Sequence, residues 1–137
     1  GYSSIMLDIR PRSLAVAGGE PGKIKTLDGV NLLPYISGSK KSRPHQTLYW
    51  NGDGPFSAIR YKDWKLVKMP DRLPELYNLA NDPAERVNLA REKRELTKDL
   101  LQRWYEWDFK NDQARWQLLK KYEKISIDRF DKYKKKN

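Results

Sequence analysis

"TLYWNGDGPFSAIRYKDWKLVKMPDRLPELYNL", residues 47–79, decides the fold. Its short aromatic and β-branched runs at 47–51, 56–61, 64–69 and 75–79 are separated by Gly, Asp or Pro, and so predict four antiparallel strands. The link "YKDW" leaves only Lys62 and Asp63 between two of them, a tight hairpin that favours Gly or Asn and is strained by about 1 kcal/mol without them. Trp50, Ile59, Trp64 and Leu66 are expected to pack on a helix, with Arg60, Lys65 and Lys68 on the wet face.

Outward from this block, "ELYNLANDPAERVNLA" at 75–90 reads as strand, turn and connector. Asp82, Pro83 and Glu85 predict a capping box over one short helical turn; Asn88 is placed to bond nearby backbone and Leu89 to anchor the loop. Residues 91–109 then put Leu96, Leu100, Leu101, Trp104 and Trp107 on one helical face, with Asp99 and Arg103 paired at four-residue spacing outside. One helix covering one sheet face makes the fold class α+β.

Ahead of the strands, Ile5–Ala17 predicts an amphipathic helix that tolerates Pro11 in its first turn. "SGSKKSRPHQ" at 37–46 is a basic linker, and 112–137 is a basic, helix-prone tail with nine basic residues against four acidic, its apolar positions at Leu118, Leu119, Tyr122 and Ile125. The expected divisions are therefore 1–38, 39–111 and 112–137.

Over 137 residues, 28 Lys and Arg against 18 Asp and Glu give a formal charge of +10, which attracts polyanions. The absence of cysteine excludes disulfides, thiolate metal sites and a cysteine nucleophile within the chain, and no apolar run approaches a membrane span. His45 is the single histidine and has no acidic neighbour in sequence, while Asp28, Asp53, Asp63, Asp71 and Asp82 sit in turn contexts. No catalytic constellation can be assembled from this inventory.

The strings "DIRPRSLAVAGG", "LDGVNLLPYISG", "PHQTLYW", "AIRYKDWKLVK" and "ELYNLANDPAERVNLA", in this order and at these distances, closely resemble the C-terminal portion of the sulfatases, the arylsulfatase-like sulfuric ester hydrolases. The resemblance runs from about Ser4 to Trp116. It implies an α+β subdomain, a four-stranded antiparallel sheet packed against a long C-terminal helix, preceded by an N-terminal helix and loop left from the large domain. It also implies an intact enzyme with calcium and a formylglycine made within a Cys/Ser-x-Pro-x-Arg motif. "SRPHQ" at 42–46 has Gln46 where that motif needs arginine, so neither cofactor is expected in this chain, which should be inactive alone.

By the same resemblance the partners are the missing N-terminal catalytic domain and a sulfated substrate, without a membrane, in a periplasmic or secreted parent protein. This subdomain resembles a wall of the substrate cleft, where His45, Trp50 and Arg60 are the expected substrate contacts, Arg60 because guanidinium binds sulfate oxygens well. The stripe Ile5, Met6, Ile9, Leu14 and Val16 would then lack the large sheet it packs on; a substitute partner is expected on its own small domain or on a second copy by self-association. The alternative reading is a non-catalytic basic module that binds polyanions, nucleic acid or sulfated glycan, through charge.

Overall fold

The computed structural model describes residues 3–52, 55–112 and 120–136. The chain divides into two compact units, Gly1–Gln46 and Thr47–Asn137. Leu118, Leu119 and Trp116 lie outside the described residues.

In the second unit the strands are β1 (Thr47–Asn51), β2 (Ser57–Tyr61), β3 (Trp64–Lys68) and β4 (Glu75–Asn78), an antiparallel meander in sequence order. The β2–β3 register, Tyr61 opposite Trp64, leaves Lys62 and Asp63 as the two-residue turn, and Lys62 takes a left-handed φ of 56°. That is the left-handed backbone that glycine adopts freely, so the strain expected of this turn falls on Lys62. The Lys62 ammonium folds back over the Tyr61 ring, 5.1 Å from its centroid, and the Arg103 guanidinium lies 4.9 Å from the same centroid.

Helix α3 (Arg94–Asp108) covers one sheet face, with Leu100 and Trp104 joining Ile59, Leu66 and Leu76 in a buried cluster. Leu96, Leu101 and Trp107 pack around it, and Arg103 pairs with Asp99 as the spacing predicts. Strand alternation sends Val67, Met69 and Tyr77 to the opposite face. There a second helix, α4 (Lys120–Lys136), sets Phe130 against Phe56 at 5.1 Å between ring centroids, and Arg72 holds Asp131 through two parallel bonds of 2.7 and 2.9 Å. Both faces of the sheet therefore carry a helix.

The connector from β4 to α3 does more than turn the chain. Asn88 Oδ1 accepts the Leu76 N–H at 3.1 Å and the Ala90 N–H at 3.0 Å, and the Leu89 N–H donates to Leu76 O at 2.8 Å. Both outward backbone groups of Leu76 are thereby satisfied, which closes the exposed edge of β4. The anticipated capping box does not form a helical turn. Asp82 instead accepts the Val87 N–H at 2.8 Å, a bond that holds its carboxyl below the usual aspartate range, while Glu85 adopts φ 55° and reaches Lys65 at 2.5 Å. Glu85 is more useful to the sheet as a partner for Lys65 than to a one-turn helix as a cap.

In the first unit, a 3-10 turn (Met6–Asp8) runs into α1 (Ile9–Val16), with Pro11 buried in the first helical turn where its missing N–H costs nothing. A short helix, α2 (Leu33–Ile36), follows, its Leu33 N–H donating to Asn31 Oδ1 at 3.1 Å. Of the apolar stripe, Ile5 and Leu14 are half-buried, whereas Met6, Ile9 and Val16 are 83%, 60% and 69% exposed.

Candidate functional site

Asp8 organises the first unit. Its carboxylate is 1% exposed and accepts the Ile5 N–H at 2.9 Å and the Val30 N–H at 2.8 Å, so one side chain ties the start of α1 to the loop before α2. Gly29 makes that approach possible, because a Cβ there would lie 2.0 Å from Leu7 O. His45 completes the knot, with Nε2 at 2.8 and 2.9 Å from the two carboxylate oxygens. Burial alone would raise the Asp8 pKa; the Val30 and Ile5 amides and the imidazole outweigh it and hold the group below the usual range.

His45, expected to meet substrate, is thus oriented through Nε2 by a carboxylate 37 residues away, and Nδ1 is the ring nitrogen left for any ligand. Its side chain is 10% exposed. Sequence reasoning gave Asp8 no role, and Asp-Ile at the head of an amphipathic stretch was the only local signal for it.

Trp50 and Arg60 occupy the second unit. Register pairs Leu48 with Arg60 and Trp50 with Ala58, so Trp50 and Arg60 are diagonal neighbours across β1 and β2, about 7 Å apart at Cβ, on the face away from α3. This differs from the expectation that Trp50 packs on the long helix: Tyr49 takes that place, stacked on Trp107 at 4.9 Å and 9°, and the Trp50 indole is 41% exposed. The Trp50 backbone carbonyl accepts the Trp104 Nε1–H at 3.2 Å, which ties the edge strand to α3. Arg60 donates from Nε to Lys62 O at 3.1 Å, which fixes the guanidinium plane and leaves its two terminal nitrogens without a further bond among the described residues.

Lys68 also departs from the wet face assigned to it. It lies on the α3 side, its ammonium 4.6 Å from the Trp104 ring centroid and 5.3 Å from that of Tyr105. Among the described residues no cluster of three or more His, Asp or Glu could hold a metal ion. Asp8 does not fit calcium either, since both its oxygens already face hydrogen-bond donors. Among the described residues no helix is long and apolar enough to cross a membrane.

No protein-family model matches the chain. A choline-sulfatase from Rhizobium meliloti (strain 1021) is 32% identical to it over 91 residues, 64% of this chain and 18% of the relative. The crystal structure of Ps i-CgsB matches with a TM-score of 0.70 at 25% identity, over 85% of this chain and 27% of that one. The chain is similar to the C-terminal portion of the sulfatases. The putative sulfatase yidJ from Bacteroides fragilis shares the fold, with a TM-score of 0.55 at 20% identity over 73% of this chain and 23% of its own. The chain thus spans less than a third of each of these three proteins, 18%, 27% and 23% of their lengths.

Proposed function

We propose that this portion serves a sulfatase that hydrolyses sulfate esters, giving it structure and one wall of the substrate cleft, and that alone it is catalytically inert. The match over 91 residues to a choline-sulfatase carries the reading. The whole enzyme would contribute the formylglycine nucleophile and its calcium from outside these residues. The exposed apolar side chains of the 3-10 turn and α1, Met6 at 83%, Ile9 at 60% and Val16 at 69%, form the surface on which the catalytic domain would pack.

Trp50, Arg60 and His45 are the proposed substrate contacts. Arg60 offers a planar pair of terminal N–H donors already oriented by its Nε bond, a geometry matched to two sulfate oxygens. Trp50 offers a half-exposed ring two positions away on the neighbouring strand, suited to the apolar face of a sugar or aryl group. His45, held through Nε2, has Nδ1 available to a substrate oxygen. The match to i-CgsB, also solved in complex with k-i-k-neocarrahexaose, supports a carbohydrate as the group that bears the sulfate.

Kinetics of the whole enzyme test these roles. Arg60→Gln and Trp50→Ala should raise KM for a sulfated substrate by about tenfold with kcat little changed, the signature of lost uniform binding. Unchanged KM in both variants would remove them from the cleft.

A further inference from the structure

Helix α4 carries a charged surface that its packing does not use. Glu123, Ser126, Ile127, Phe130 and Asp131 are its half-buried positions, spaced as one helical stripe, whereas Lys121, Lys124, Arg129 and Lys132 are all exposed. Phe130 against Phe56, and Arg72 on Asp131, fix which way the helix faces. The same clamp neutralises Asp131, so Asp128 is the one carboxylate exposed among those four cations.

Lys124, Arg129 and Lys132 join no ion pair among the described residues, and Lys121 lies 4.8 Å from the centroid of the neighbouring Tyr122 ring. At 1.5 Å per residue the four cations spread over about 16 Å along the helix, an elongated rather than a point-like positive field. A compact anion would meet one or two of them; a chain with repeated anionic groups would meet all four.

We propose that the outward face of α4 binds a sulfated glycan strand, with Lys121, Lys124, Arg129 and Lys132 each facing a sulfate or carboxylate along it. The proposal rests on the sulfatase reading and extends it from one sulfate ester to the polymer that bears it. Nucleic acid fits the same charge less well. Single-strand binding needs rings on which bases stack, and Tyr122, the one exposed ring of this face among the described residues, is already covered on one side by Lys121. Among the described residues Ile125, 43% exposed, is the only exposed aliphatic side chain beside it, too little for an apolar face laid into a membrane.

The test is fluorescence anisotropy of the 137-residue chain with labelled heparin fragments, unsulfated hyaluronan and duplex DNA, in salt from about 50 to 200 mM. One variant carries Lys121→Gln, Lys124→Gln, Arg129→Gln and Lys132→Gln. A second removes the same charge elsewhere through Arg91→Gln, Lys93→Gln, Arg94→Gln and Lys98→Gln. A third, Lys121→Arg, Lys124→Arg and Lys132→Arg, retains it. Amide protection around Phe130 checks that α4 stays docked in each.

The expected result is heparin bound at least tenfold tighter than DNA or hyaluronan, weakened about tenfold or more in the first variant, with a shallower salt slope, and kept in the other two. Equal weakening in the first and second variants would reduce the effect to net charge and overturn the site. DNA bound as tightly as heparin, both lost together, would make it a nucleic-acid surface and overturn the glycan assignment. Absence of specific heparin binding by the unaltered chain, while the whole enzyme hydrolyses sulfate esters, would sink this inference alone. Absence of hydrolysis with heparin binding intact would sink the sulfatase reading and leave this site standing.

Discussion

Nε2 of His45 stands 2.8 and 2.9 Å from the two carboxylate oxygens of Asp8, which also receive the Ile5 and Val30 amides. One buried carboxylate therefore holds three separate pieces of the first unit. Asp8→Asn keeps the shape but puts an N–H₂ against donors, so it should destabilise that unit by about 1–3 kcal/mol. Hydrogen exchange at the Val30 amide measures this directly; unchanged protection would show that the knot is held by something else.

The pH dependence follows with a definite sign. Asp8 has a lower pKa folded than unfolded, so its contribution is full above the unfolded value of about 3.9 and is lost as pH falls through the folded one. Val30 amide protection should persist on acidification to about pH 4 and collapse only below it. Loss of protection near pH 5 would contradict a depressed Asp8.

Trp104 is 3% exposed and bridges α3 to β1 through the Trp50 carbonyl. Trp104→Ala should cost about 3–5 kcal/mol, enough to unfold so small a sheet-and-helix unit. Chemical denaturation followed by far-UV circular dichroism decides it, and a change under about 1 kcal/mol would mean that α3 docks by another face.

Asn88→Ala removes one oxygen that satisfies two amides, Leu76 and Ala90, and should cost about 1–3 kcal/mol. Exchange at Leu76 should accelerate first, since its N–H faces the open edge of β4. Uniform acceleration across the sheet would instead place the loss in global stability.

What the sequence revealed, and what it hid, divides by range. The strands were legible because each hides one face under α3 or opposite it, and the β2–β3 register because two residues admit a single turn. The β1–β2 register was not legible. Its connection at residues 52–56 is long enough to allow either parity, so it could not be told whether Tyr49 or Trp50 faces α3. Lys68 was placed on the wet face by its charge, although its position alternates with Val67 and aims it at Trp104.

Asp8 and His45 lie 37 residues apart, and no local pattern links them. Phe130 was masked by the lysines around it, whose number gave the segment the composition of a solvated tail, although one aromatic on the inward stripe suffices to dock α4. Of the expected substrate contacts, Trp50 and Arg60 share one sheet face, and His45 belongs to the other unit.

Hydrolysis of a chromogenic aryl sulfate by the 137-residue chain alone, and by the chain joined to the segment encoded upstream of Gly1, tests the central claim most directly. The account predicts no turnover by the chain alone, with or without calcium, because its sequence lacks the Cys/Ser-x-Pro-x-Arg motif and its described residues gather no metal-ligating cluster. It predicts calcium-dependent turnover by the joined protein, whose upstream segment carries a Cys/Ser-x-Pro-x-Arg motif. Turnover by the chain alone that disappears in His45→Ala, or an upstream segment without that motif, would contradict it.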